Sequence, residues 1–253
     1  MSYHRNEKNL GIGGNWNRCL ELAKTEFVTL LHADDVLLPS YAESMLAAAD
    51  RYPEAAFYFC NAAIINAKSH PTFSFPDYIK SWIQPPPRPE TLVQGDAGLA
   101  QLLRGCFIMC PTICYRFAKI PPKKFNESRK QVLDLEFYTE VLFGGGALIG
   151  IADTCYLYRR HQANQTAQLS ANLTRFDEEI SLYDELAVKA MELNWPQSAN
   201  VARKKTMIKL NLGYCVLSDL ILRKWLAAWQ KLTLLTMLMF GPKPRLKRIS
   251  KPC

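Results

Sequence analysis

Phe27-Val28-Thr29-Leu30-Leu31-His32-Ala33-Asp34-Asp35 is the stretch whose reading decides the fold. Its first five residues form an apolar run of the length expected for a strand buried on both faces. The run ends abruptly at a histidine and two adjacent acids, which puts the carboxylates at the strand's carboxyl end. Just upstream, Trp16, Cys19, Leu20 and Ala23 recur at helical spacing between Asn15 and Lys24, an amphipathic helix. Just downstream, Ser40 with Glu43 behind Pro39 reads as a capping box, starting a helix that runs to about Asp50. Ala55 to Cys60 is a second buried strand. This alternation predicts an α/β layer with a largely parallel sheet flanked by helices, and such sheets bind ligands at the carboxyl ends of their strands.

Further along, a proline-rich loop (Pro85-Pro86-Pro87-Arg88-Pro89) precedes Asp96, which can cap a helix reaching Arg104. Cys106 to Tyr115 reads as a strand. Asp134 to Phe143 is helical in pattern and is stopped by Gly144-Gly145-Gly146, after which Ala147–Ile151 and Cys155–Tyr158 read as two strands. From about Ser170 the chain is helical. We therefore expect an α/β domain over 1–168, a helical extension over 169–212, and an amphipathic helix with a basic tail over 213–253.

The 253 residues are 49% hydrophobic and 21% charged, which suffices for a real core and excludes general disorder. Five cations of the formal +8 (Lys243, Arg245, Lys247, Arg248, Lys251) sit in the tail with no acid among them, so the body is nearly balanced. The tail is either solvated or a contact for phosphate head groups at a membrane surface; nothing points to nucleic acid. Eight cysteines are scattered without a CxxC pair, and HExxH spacing is absent, which argues for a reducing, cytoplasmic compartment and against structural zinc. The sequons at Asn126, Asn164 and Asn172 then carry no weight. Leu217 to Phe240 is rich in Leu, Met and Trp, but Asp219, Arg223, Lys224 and Lys231 interrupt it. The stretch after Lys231 falls short of the roughly 20 residues needed to span a bilayer. It reads as an in-plane helix at the inner membrane face, with Trp225 and Trp229 near the surface, or as a helix packed on the core.

Adjacent carboxylates in a turn after a buried strand can hold a hard divalent cation together with phosphate oxygens, or one can cap a turn while the other is solvated. The surrounding pattern decides for the first. Asn9-Leu10-Gly11, Asn17 inside a helix, a strand ending in His-Ala-Asp-Asp, then Leu38-Pro39 and a helix, resembles the family 2 inverting glycosyltransferases of the GT-A (Rossmann-like) fold. The resemblance implies a nucleotide-sugar donor bound near Asn9, Asn17 and Asp34, with Mg2+ or Mn2+ on Asp34 and Asp35. His32 stands where the family's element has its first acid, and can be a ligand or a hydrogen-bond donor there.

An inverting transfer also needs a base for the acceptor hydroxyl. Asp134, in Val132-Leu133-Asp134-Leu135-Glu136-Phe137, resembles the family's catalytic carboxylate, with Leu133 replacing the usual preceding acid; as a bare motif it also fits a helix N-cap. Pro111, Thr112 and Glu136 fall in segments that resemble the acceptor side. Tyr158 to Thr166 resembles the family's YRxHxxNxS/T element, which implies donor-phosphate contacts for Arg159, Arg160 or His161. The acceptor implied is a glycan or lipid-linked glycan. The family's opening strand and Pro-Thr-Tyr-Asn-like turn have no counterpart before Asn9, so the expectation is an N-terminally truncated domain with weak or absent donor binding. Nucleotidyl transfer, and an inactive relative serving as a membrane-associated binding or assembly subunit, are the competing readings.

Overall fold

The computed structural model describes residues 2–72, 89–122, 124–160 and 173–241. After Asn9 folds its side chain onto the Gly11 N–H, 2.9 Å away, helix α1 (Gly11–Leu22) begins, with Gly11 itself at φ +70°. The glycine of the Asn-x-Gly motif is there because this entry turn needs a left-handed residue. Strand β1 (Phe27–Thr29), the acidic turn and β2 (Val36–Leu37) follow, then α2 (Tyr41–Arg51), β3 (Phe57–Ile65), β4 (Glu90–Gln94), α3 (Gly95–Leu103), β5 (Cys114–Arg116), α4 (Leu133–Phe143) and β6 (Ala147–Arg159). Four more helices complete the described chain: α5 (Thr174–Glu192), α6 (Pro196–Lys204), α7 (Thr206–Ile221) and α8 (Trp225–Phe240).

The sheet runs β1-β5-β3-β6-β2, and β4 also pairs with β6. Alternation along β3 divides the core in two. Phe57 and Phe59 join the larger cluster with α1, α3, α4 and α5, while Tyr58 and Cys60 face α2 and its Tyr41, Met45 and Ala48. The result is the three-layer α/β arrangement expected. Strand directions differ from the expectation: among the described pairs only β3 and β6 run parallel, and the other four are antiparallel. An apolar run fixes burial but not direction, which depends on neighbours far away in sequence. β1 is half-buried rather than buried on both faces, because among the described residues β5 is its only strand partner.

Other local expectations shift in instructive ways. The two strands expected after the glycine turn are one thirteen-residue strand. It continues through exposed Ala152-Asp153-Thr154, and the register slip against β3 at Asn61 is bridged by Asn61 Nδ2 donating to the Ala152 carbonyl at 2.8 Å. Ser40 precedes α2 without capping it; its hydroxyl lies 3.7 Å from Cys155 Sγ. Asp96 caps α6 rather than its own helix, accepting from the N–H groups of Gln197 (3.0 Å) and Ser198 (2.7 Å). The Cys106–Tyr115 stretch is a strand only at Cys114–Arg116, after a single 3-10 turn at Cys110–Thr112.

Candidate functional site

The acidic turn at 32–35 is held by residues more than 100 positions further along the chain. Asp35, whose side chain is 1% exposed, accepts from the Arg159 N–H at 2.7 Å and from the Tyr156 hydroxyl at 2.9 Å. The Arg159 side chain then wraps the turn: Nε donates to the Asp34 carbonyl at 2.6 Å, and Nη1 to the Asn66 carbonyl (2.8 Å) and Ser69 Oγ (3.0 Å). Burial raises the Asp35 pKa above its ordinary value, opposed by those N–H and O–H donors, so the turn holds a carboxylate that water barely reaches. Asp34, by contrast, is exposed.

His32 closes the other side. Its ring stacks on Trp16 of α1, centroids 5.6 Å apart, and Nδ1 lies 3.8 Å from Asp35 Oδ2. Burial depresses its pKa, with the charges of Asp35 and Asp34 pulling the other way. Its Nε2 is buried with no hydrogen-bond partner among the described residues. Such an orphaned nitrogen beside an exposed carboxylate fits a cation or a hydrated ligand seated at Asp34. Among the described residues no group of three or more His, Cys, Asp and Glu side chains is placed to hold a metal by itself, so a hard cation at exposed Asp34 would have to share its coordination with phosphate oxygens and water. Asp35 supports the turn from beneath.

Asp134 stands half-buried in the first turn of α4; the N-cap is Val132, and Asp134 Oδ1 accepts from the adjacent Leu135 N–H at 2.8 Å. Its negative charge adds to the burial that pushes the Cys110 thiol and the Tyr115 and Tyr138 phenols well above their ordinary pKa values, which puts it beside the 110–112 turn. That turn is joined to the acidic side of the sheet by Tyr41. The Tyr41 hydroxyl donates to the Thr112 carbonyl at 3.1 Å and lies 3.1 Å from Thr29 Oγ1, at the end of β1. Tyr41 thus joins the end of β1 to the 110–112 turn, while Tyr156 and Arg159 hold Asp35 from β6.

Several motif residues prove to be fasteners. Asn17 Nδ2 donates to the Phe125 carbonyl (2.9 Å) and Glu127 Oε1 (3.0 Å), while its Oδ1 accepts from the Phe125 N–H (2.9 Å), tying α1 to the segment before α4. Glu136 is buried and held by Arg129 Nε (3.0 Å) and Asn126 Nδ2. Pro111 and Thr112 are buried as well, Thr112 Oγ1 donating to the Met109 carbonyl at 2.8 Å. Arg160 lies over the Tyr158 ring at 5.5 Å. His161 and the rest of that motif fall outside the described residues, as does the basic tail. Sequence reading missed Trp16, Tyr41 and Tyr156, whose parts in the site depend on partners scattered along the chain. Two hollows of about 720 and 500 Å³ lie at the other end of β6, around Gly144–Gly146, and none of the candidate residues lines either.

Residues 1–116, which contain the Asn-x-Gly turn, α1 and the clamped acidic turn, match the family described as Glycosyl transferase family 2. The match covers 116 of the 253 residues, a little under half of the chain. Among solved structures, the chain is similar in fold to S. aureus TarS 1-349, at 15% identity and TM-score 0.52, over 79% of this chain and 52% of that one. S. aureus TarS 1-349 in complex with UDP matches at 17% identity and TM-score 0.49, over 76% of this chain and 50% of that one. The chain thus spans about half the length of these solved relatives. The GT-A-type α/β class with a helical carboxyl-terminal region is the fold of this chain. No protein of curated function matches the sequence.

Proposed function

We propose that the protein transfers a sugar, with inversion, from a nucleotide-sugar donor to a hydroxyl of a glycan or lipid-linked glycan. The observation that carries this reading is the division of labour in the acidic turn: the Asp35 side chain is buried and clamped by Tyr156 and Arg159, while Asp34 is exposed to solvent. Asp34 would hold Mg2+ or Mn2+, which neutralises the charge that develops on a diphosphate leaving group. Asp134 removes the proton from the acceptor hydroxyl, with the 110–112 turn forming the wall beside it. Asn9, Asn17, Glu136 and Arg159 act as positioning residues in this scheme, because their polar atoms are engaged in fixing backbone and neighbouring side chains.

The family match over residues 1–116 and the TarS-like fold support the class of reaction. The test is release of nucleoside diphosphate from a panel of nucleotide sugars with Mn2+ and a polysaccharide acceptor. Turnover that disappears with EDTA, and in Asp34→Ala and Asp134→Asn, supports the proposal; turnover that survives Asp134→Asn sinks the assigned base. Silence with every donor, alongside retained membrane binding, favours the inactive assembly subunit.

A further inference from the structure

The stretch from Leu217 to Phe240, expected as one helix, is broken at Arg223, which sits at φ +57°, into the pair α7 and α8. Lys231 Nζ donates to Asp219 Oδ2 at 2.6 Å across this break, both residues buried, and the Lys224 N–H donates to the Asp219 carbonyl at 2.8 Å. The two helices therefore fold back on each other as an antiparallel hairpin. Its inner stripes, Ile208-Leu212-Val216 and Ala228-Lys231-Leu235-Leu238, repeat at helical spacing and are buried or packed against the core.

Each helix carries a second apolar stripe on the face opposite. In α7 it is Leu210, Tyr214, Leu217 and Ile221, all between 49% and 81% exposed. In α8 it is Leu226, Trp229, Met237 and Phe240, between 64% and 81% exposed. A helix apolar on both faces belongs in a large core or against lipid, and a contiguous uncovered patch of this kind marks an interaction surface.

The charges say what meets it. Of 31 Lys and Arg, eight follow Asp219, and none of the 23 Asp and Glu does, so the whole formal excess of +8 lies in the last 34 residues. Arg223 and Lys224 are exposed at the hairpin tip, beside the exposed Trp225. The one acid of the hairpin is buried against Lys231. Two copies meeting through this segment would oppose like charges with no acid to answer them, whereas an anionic lipid surface offers both apolar depth and negative charge. No described helix is long and apolar enough to cross a membrane.

We propose that the α7–α8 hairpin is a lipid-docking element that lies in the interface of an anionic bilayer, its outer stripes immersed and its tip cations at the head groups. This goes beyond the sugar-transfer reading and does not depend on it. The test is flotation of the full chain with phosphatidylcholine vesicles, alone or with about one-third phosphatidylglycerol. We expect flotation only with the anionic vesicles, a loss of binding at about 1 M salt where the Debye length falls to about 3 Å, and at least a ~10-fold drop in Trp225→Ser/Trp229→Ser/Phe240→Ser with circular dichroism unchanged. Brominated acyl chains should quench the tryptophan fluorescence of the unmodified chain, a readout that needs no variant. Equal partitioning of the unmodified and triple-variant chains, or absence of quenching, overturns the proposal. So does a dimer in light scattering that the same triple variant dissociates without any vesicle binding, which assigns the face to a second copy.

Discussion

The acidic turn and the carboxyl-terminal hairpin use polar groups in opposite ways. Around Asp34 and Asp35 the partners come from more than 100 residues away, and nearly every described donor is directed at holding one exposed carboxylate in place. The hairpin has one buried ion pair between residues twelve apart, and leaves apolar stripes uncovered on the outside. A surface that must recognise small charged groups needs a fixed geometry; one that meets an extended apolar phase needs only area and sign of charge. The same chain supplies both, one through long-range hydrogen bonds and the other through short-range packing.

The sharpest way to break this comparison is at the chemical end. Asp134→Asn should lower kcat by roughly 10²–10⁴-fold while donor affinity in calorimetry is kept; equal loss of both would make Asp134 part of the donor pocket. Next in size is the hairpin latch. Lys231→Met strands Asp219 in a buried site, for about 3–5 kcal/mol in urea unfolding, whereas replacing both residues by leucine should be close to neutral.

Within the turn, Asp35→Ala leaves the Tyr156 hydroxyl and the Arg159 N–H without their acceptor and should cost about 2–4 kcal/mol. Asp34→Ala should stay within about 0.5 kcal/mol of the parent in stability yet lose cation-dependent turnover. If the two variants behave alike, the division between supporting and presenting carboxylate is wrong.

The smallest effect is the pH response. His32 has a lowered folded pKa, so the unfolded chain takes up its proton first, and stability should fall as pH drops below the ordinary value of 6.5. Asp35, raised, works in the other direction as pH falls further toward 3.8. A Tm decrease of roughly 2 °C or less between pH 7.5 and 5.5, absent in His32→Asn, is expected.

Much of the site's outline was legible beforehand because it is written locally. The short strand upstream of the two acids, which ends at Thr29 rather than Leu31, the helix limits near Tyr41 and Phe143, and the stop at Gly144-Gly145-Gly146 all depend on residues close in sequence. What escaped was whatever depends on a distant partner. Asp96 looks like the cap of the helix it opens and instead caps one a hundred residues later. Glu136 has the look of an open acceptor-side acid, but Arg129 and Asn126 fold over it. Ala152-Asp153-Thr154 resembles a break in a strand, yet β3 carries the backbone straight past it.

One side chain sets how still the turn must be. Arg159 is the last residue of β6, the longest strand in the sheet, and its guanidinium grips both the Asp34 carbonyl and the turn at Asn66 and Ser69. Any push on either loop is handed directly to the sheet, so the loop around Asp34 inherits the stiffness of a strand. Backbone order parameters there should sit near the ~0.85 of rigid elements rather than below the ~0.6 of flexible ones, and an incoming ligand would meet a carboxylate that is already stationary.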